Sequence, residues 1–467
     1  MGGLAKASLW LGAVLVAVTA FLWLTPWGGF AMNALPVGNG VSAQLACGGV
    51  FVSGRKLDDV ARHDIFRLSP LTKDDKFALD RMGESVTVTS FGLAPRTSIY
   101  RPGVGCTLLV DSDAATLRKQ ATGIVKPPRM PRPGLWPEGD EVAPAASAAL
   151  ARAVKDSFTD DTPAHDIDTR AIVVVHNGRI VAERYADGFG PDTPELGWSM
   201  SKSVTASLIG TLIAAGELRP DEPAPVPEWT VAGDPRHAIE VRNLLNMSSG
   251  LAFKEPYDPG SDSTAMLFES HDMAGYAATR PLTHPPGTFW SYSSGTANIL
   301  SRVVKMKSGG TLKLLEDYAQ MHLFGPLGMT SAVFEPDESG NFVGSSLLYA
   351  SARDWARFGL FILNDGTVGG RRLLPEGYVR FLCTPAPADK DKGYGAMFWL
   401  NGVDAKGVRW FPHLPADYCA AEGHNDEFVA IFPSRNAVIV RLGWTGNDFR
   451  FDRDKHFAAI LAALARG

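Results

Sequence analysis

The 467-residue chain has only 4 cysteines, too few for a fold built on disulfides. They form no Cys-x-x-Cys pair, and no His-Glu-x-x-His segment occurs, so the sequence offers no zinc site and implies no cofactor. A basic excess is also missing. Lys plus Arg is 45 against 50 for Asp plus Glu, a net charge of −5, which leaves no electrostatic footprint for nucleic acid. Internal repeats and low-complexity tracts are absent, and 45% hydrophobic with 20% charged residues excludes a disordered chain. At roughly 150 residues per domain, the length allows two or three domains.

One long apolar run is present. Residues 9–24 are almost uninterrupted, with Lys6 before them and Pro26 after. As a helix they reach about 24 Å, a little short of a roughly 30 Å hydrocarbon core. The best small-residue cleavage pattern, Val18-Thr19-Ala20, falls inside the run, and Trp23 and Trp27 suit an interfacial belt. Residues 1–30 therefore read as an uncleaved membrane anchor, with a cleaved signal segment as the alternative. Lys6 puts the short end inside, and the rest of the chain outside the cytoplasm (the periplasm in a Gram-negative bacterium). Disulfides are allowed there. Pairing Cys47 with Cys106 and Cys383 with Cys419 is the simplest of the three connectivities, against four buried free thiols. Closing the first loop would contribute about 4 kcal/mol.

Residues 31–125 carry short apolar runs (Val50-Phe51-Val52, Val86-Thr87-Val88, Thr107-Leu108-Leu109-Val110) broken by Gly, Pro and Asp, and read as a small β-rich or α+β unit. A linker follows at about 126–137, rich in proline. Residues 126–467 suffice for one large domain with its strand signals at both ends. Residues 171–176 and 179–185 flank Asn177-Gly178, the pair that a two-residue type I′ hairpin requires. A second hairpin joins 428–432 to 437–442 around Pro433-Ser434-Arg435-Asn436, and 393–401 is a further strand candidate. Helical periodicity fills the middle, with Val204, Leu208 and Leu212 at i+4 spacing, and further helices near 240–247, 295–307, 311–322 and 352–364. A last helix at about 454–465 puts Phe457, Ile460, Leu461 and Leu464 on one face. The expected class is α+β: an antiparallel β-sheet flanked by helices, with an inserted helical region, a small N-terminal unit and a membrane-anchor helix.

Ser199-Met200-Ser201-Lys202 is a Ser-x-x-Lys at the point where a loop enters that helix. A second match, Ser53 to Lys56, has no amphipathic helix behind it. Three apart on a helix, Ser199 and Lys202 share a face, and the helix N-terminus adds free N–H groups and positive potential where an oxyanion develops. The bland alternative makes Ser199 an N-cap and Lys202 a solvated lysine. Tyr292 stands just before another helix. A phenol beside an ammonium is expected to deprotonate below its ordinary value near 10 and to serve as general base. His424-Asn425-Asp426-Glu427 leads into the C-terminal hairpin, whose edge can present a backbone N–H to a substrate carbonyl. Taken singly, Tyr292 reads as a packed aromatic and His424 as a loop histidine.

Five blocks occur in order: Ser199 to Lys202, residues 239–251, Tyr292 to Asn298, residues 351–359, and Gly423-His424 ahead of the last hairpin. Together they resemble the serine β-lactamase-related family, which includes class C β-lactamases, D,D-peptidases and esterases, and are nearest to its 6-aminohexanoate-dimer hydrolase branch. The resemblance covers about residues 165–465. It implies acyl-enzyme chemistry with Ser199 as nucleophile, Lys202 as its ammonium partner and Tyr292 as proton carrier. The oxyanion hole is then the backbone N–H of Ser199 and that of Glu427, with His424, Asn425, Asp426 and Tyr257 at the substrate. Two departures stand out: Ser294 where Tyr-x-Asn is common, and Asp426 where a small residue is common. Asp426 and Glu427 would make the strand side acidic and disfavour anionic substrates. The expected activity is an extracytoplasmic amidase or esterase acting on a small-molecule or short-peptide substrate. The alternatives are a D,D-peptidase, or a non-catalytic protein that binds a peptide or cell-wall fragment.

Overall fold

A computed structural model of the chain describes residues 26–126, 130–142, 147–159, 166–446 and 448–464. The expected membrane run, 9–24, lies outside the described residues.

The N-terminal region opens with a helix, α1 (Pro26–Cys47), that runs on as a π turn over Gly48–Val52. Val50-Phe51-Val52 is thus helical rather than a strand, because the preceding helix carries straight through it. Four strands follow as an antiparallel meander, β1 (Asp75–Asp80), β2 (Ser85–Ser90), β3 (Leu93–Arg101) and β4 (Gly105–Leu108). The α1 helix lies across β2 and β3, and a disulfide from Cys47 to Cys106 joins its end to β4. Among the described residues one stretch, Ala34–Val52, is long and apolar enough to cross a membrane. Since 67% of that window is buried against protein, packing already accounts for its apolarity.

The large region is organised by a six-stranded antiparallel sheet. In chain order come the helix α2 (Ala148–Asp156), the strands β5 (Ile167–His176) and β6 (Arg179–Tyr185), and the helices α3 (Met200–Ala214), α4 (Asp262–Glu269), α5 (Ser294–Lys307) and α6 (Ala352–Leu363). The chain then returns through β7 (Trp399–Leu400), β8 (Cys419–Gly423), β9 (Glu427–Phe432) and β10 (Ala437–Thr445), and ends in α7 (Arg453–Leu464). Strand order across the sheet is β7-β8-β9-β10-β5-β6, so the two ends of this region meet at its centre. Both expected hairpins are present, with Asn177 at φ 50° and Gly178 at φ 77° in the first. The strand expected at 393–401 shrinks to its last residues, β7.

Both faces of the sheet are buried, which explains its unbroken apolar runs. Side chains alternate along a strand. On β5, Ile172 and Val174 join Phe457, Ile460 and Leu461 of α7, whereas Val173 and Val175 face the core holding α3 and α6. The α3 helix is buried along nearly its whole length, and its hydroxyls are satisfied internally: Ser203 donates to the Met397 carbonyl at 2.6 Å and Thr205 to that of Gly344 at 2.9 Å. A second disulfide, Cys383–Cys419, fixes the start of β8.

Candidate active site

Ser199 is the N-cap of α3 and is half-buried, open on one side. The turn before it is tightly packed. A Cβ at Gly197 would lie 2.3 Å from the Trp355 ring, so only glycine fits there. Trp198 is held at φ 44°, a costly conformation for a bulky side chain. Its ring packs edge-on to His424 at 5.5 Å.

Lys202, one turn into α3, is buried. Its Nζ donates to Ser199 Oγ at 2.9 Å, to Ser294 Oγ at 3.1 Å and to the Ser345 carbonyl at 2.9 Å. All three ammonium hydrogens therefore meet neutral acceptors, and no carboxylate touches the group directly. Burial lowers its pKa to about 8, against a smaller opposing pull from Glu255. The Glu255 carboxylate sits at the N-terminus of α5, taking hydrogen bonds from the Ser294 backbone N–H at 2.7 Å and from the Ser294 hydroxyl at 2.5 Å. Burial raises its pKa, with Lys202 and the Ser294 bonds pulling it back.

Tyr292 reaches the same point from the α5 side, and its phenol shares a hydrogen bond with Ser199. Its acidity differs from the sequence expectation. Lys202 Nζ lies over the ring, 4.7 Å from the centroid, and its three hydrogen bonds go to Ser199, Ser294 and Ser345. Burial, then Tyr394 and Glu255, push the phenol well above its ordinary value, and the Ser199 bond only partly offsets them. Burial thus disfavours the phenolate of Tyr292 and the ammonium of Lys202 alike.

The strand side departs further from expectation. Glu427 lies on β9, one strand in from β8, opposite Gly423. Its carboxylate is buried beside Glu195, Arg170 and Arg441, away from Ser199. The backbone that closes on the Ser199 loop belongs to Gly423, where a Cβ would lie 2.5 Å from the Gly197 carbonyl oxygen. Asn425 and Asp426 adopt φ 65° and 60°, and Arg441 ties both carbonyls, at 3.2 and 2.6 Å. Their side chains hold the turn. Asn425 donates to the Thr445 carbonyl, and Asp426 accepts from Phe451 N at 2.7 Å with Arg453 4.0 Å away. The acidic wall expected of Asp426 and Glu427 is thus not turned toward Ser199. His424 does face the cleft, between Trp198 and Tyr257, and burial holds its imidazole below the ordinary range. Tyr257 is 42% exposed at the mouth. Two cavities meet at His424: a charged one of about 420 Å³ beside Trp399, Glu422 and Arg453, and an apolar one of about 490 Å³ beside Trp198 and Tyr257.

The Beta-lactamase family model matches residues 147–464, more than half of the chain. The chain belongs to the beta-lactamase family. Among its relatives, the 6-aminohexanoate-dimer hydrolase of Paenarthrobacter ureafaciens is 27% identical over 312 residues, 60% of this chain and 74% of that protein. Penicillin-binding protein 4 of Amycolatopsis lactamdurans is 29% identical over 182 residues, 38% of this chain and 44% of the other. A penicillin-binding protein homologue from Caulobacter crescentus has the same fold, with a TM-score of 0.52 at 17% identity over 70% of this chain and 99% of its own. Membership supports a serine hydrolase of amidase or peptidase type.

Within this beta-lactamase-family fold, sequence reasoning missed Glu255 and the Ser345 carbonyl. Glu255 stands alone beside Pro256, 39 residues before the Ser294 that it binds. Its one sequence signal is its place two residues from Tyr257. A backbone carbonyl leaves no signal at all.

Proposed function

We propose that the protein is an extracytoplasmic serine hydrolase that cleaves an amide or ester through an acyl-enzyme on Ser199. The observation that carries this reading is the 2.9 Å contact between Ser199 Oγ and a buried Lys202 amine whose partners are all neutral. In its neutral form Lys202 accepts the hydroxyl proton as Oγ bonds to the substrate carbonyl carbon. The carbonyl π electrons move onto oxygen, where the Ser199 backbone N–H at the start of α3 stabilises them. A second donor comes from the Gly423–His424 turn rather than from Glu427, because that turn abuts the nucleophile loop; each such donor contributes about 3–4 kcal/mol. Collapse breaks the bond to the leaving group. The departing nitrogen or oxygen takes the proton that Lys202 received from Ser199, and the Tyr292 phenol, at the same oxygen, hydrogen-bonds the leaving group. Water then attacks the acyl carbon by the same path in reverse.

Two disulfides and the apolar run at 9–24 support a location outside the cytoplasm. A fluorophosphonate probe applied to the full chain tests the chemistry. The expected result is one covalent adduct on Ser199, lost in a folded Ser199→Ala variant. A folded wild-type protein that takes no label contradicts the proposal and favours a binding role.

A further inference from the structure

The 490 Å³ cavity is built by both regions of the chain. Its outer wall is one face of α1, including Ala34, Val37 and Val41, with Leu68 and Leu71 from the segment ahead of β1. Its inner end is formed by Trp198, Tyr257 and His424. Trp198 directly precedes Ser199, so one wall of the cavity is the residue next to the nucleophile. Apart from Tyr257 and His424 at that end, Asp258 is the one ionisable residue in its lining; the rest is apolar or carries a hydroxyl. The neighbouring cavity beyond His424 has the opposite character, with Glu422, Asp426, Arg450 and Arg453 in its walls. An apolar chamber and a charged one thus adjoin at the mouth of one catalytic cleft.

We infer that the substrate of this site is amphiphilic: an ester or amide carrying an unbranched alkyl chain, which enters the apolar cavity between α1 and Trp198 while the scissile bond lies at Ser199. This rests on the hydrolase reading above. The alkyl chain belongs either to the acyl part or to the leaving group, and the cavity chemistry is the same for both. The N-terminal region is then a specificity element, because half of the chain-binding wall is its own.

Gly38 makes the inference testable. It lines the cavity, and a Cβ built on it meets nothing within 4 Å, whereas one on Gly40 meets Leu108 and Phe268 at 3.1 and 3.2 Å. Gly38→Leu therefore projects into the chamber without a clash at Cβ, and Leu is the better helix former. Leu71, 46% exposed on the rim, allows a second variant, Leu71→Asp, that puts charge into the wall with little risk to the core.

The experiment measures kcat/KM of the full chain on two ester series: p-nitrophenyl alkanoates from acetate to decanoate, and acetates of n-alkyl alcohols of the same lengths. In one series the rate should climb by about fourfold per added methylene until the cavity is full. Gly38→Leu and Leu71→Asp should each cut the long-chain rate by about tenfold or more while leaving the acetyl substrate within about twofold of wild type. The series that responds tells whether the chain is acyl or leaving group. Hydrolysis by Ser199 with no length dependence in either series overturns the inference. So does a length dependence that both variants leave intact, as when another part of the chain fills the cavity. Failure of every ester together with no fluorophosphonate adduct overturns the hydrolase reading instead.

Discussion

Two buried charge clusters lie on either side of the Trp198 loop, and they behave in opposite ways. Beneath the loop, Arg55 and Arg170 both bind Asp64, and Arg170 also approaches Asp168 at 3.6 Å and Glu195 at 3.6 Å. Burial alone would raise Asp64, but Arg170 and Arg55 together hold it below the ordinary carboxylate value. Burial pushes Glu195 up to about 7 and raises Glu427 well above its ordinary value, each with Arg170 pulling back. In this cluster guanidinium meets carboxylate, and the N-terminal region is joined to the sheet. Above the loop, the Lys202 ammonium meets two hydroxyls and a carbonyl, with its nearest carboxylate one serine away. Burial costs both clusters solvation, but only the second leaves its cation without an ionic partner. Paired charge locks structure; a buried cation with neutral partners is free to give up a proton.

Lys202→Met should break the upper cluster completely. The expected loss is about 10²–10⁴-fold in kcat, with thermal stability unchanged or raised because a buried ammonium is gone. Esterase assays and thermal melts on one preparation check both halves. Arg170→Ala should do the reverse. It strands Asp64 and Glu195 without their main partner and should cost about 3–5 kcal/mol in denaturant unfolding, while the folded protein labels at Ser199 within about threefold of wild type. A stable Arg170→Ala enzyme with impaired labelling would erase the distinction between the clusters. The smallest effect belongs to Glu255→Gln. Glu255 favours the charged form of Lys202, so its neutralisation should shift the pH–rate profile toward acid by less than about one unit, with a modest change in the plateau rate.

What the sequence discloses follows the range of the interactions. The Asn177-Gly178 hairpin is legible because its positive φ angles select those residues locally. Ser199 and Lys202 are legible because one helical turn brings them together. The α1 helix is hidden by Gly28, Gly29, Gly38, Gly40 and Pro36, which punctuate a helix that tertiary burial nonetheless stabilises. Val50-Phe51-Val52 looks like a strand for want of that helix. The motif around Tyr292 is legible but its acidity is not, since how an ammonium sits against a ring is a matter of packing. Asp426 and Glu427 show the same limit: a strand residue's face depends on register, and Arg441 and Arg170 are distant in sequence.

The most direct test is the pH dependence of Ser199 labelling by an uncharged fluorophosphonate. If the neutral Lys202 amine takes the hydroxyl proton, the second-order rate falls about tenfold per pH unit below the Lys202 pKa, rises with pH through about 8, and then levels off. In Glu255→Gln the midpoint moves to lower pH. A rate independent of pH between about 6 and 9, or a midpoint that moves upward in Glu255→Gln, contradicts the account.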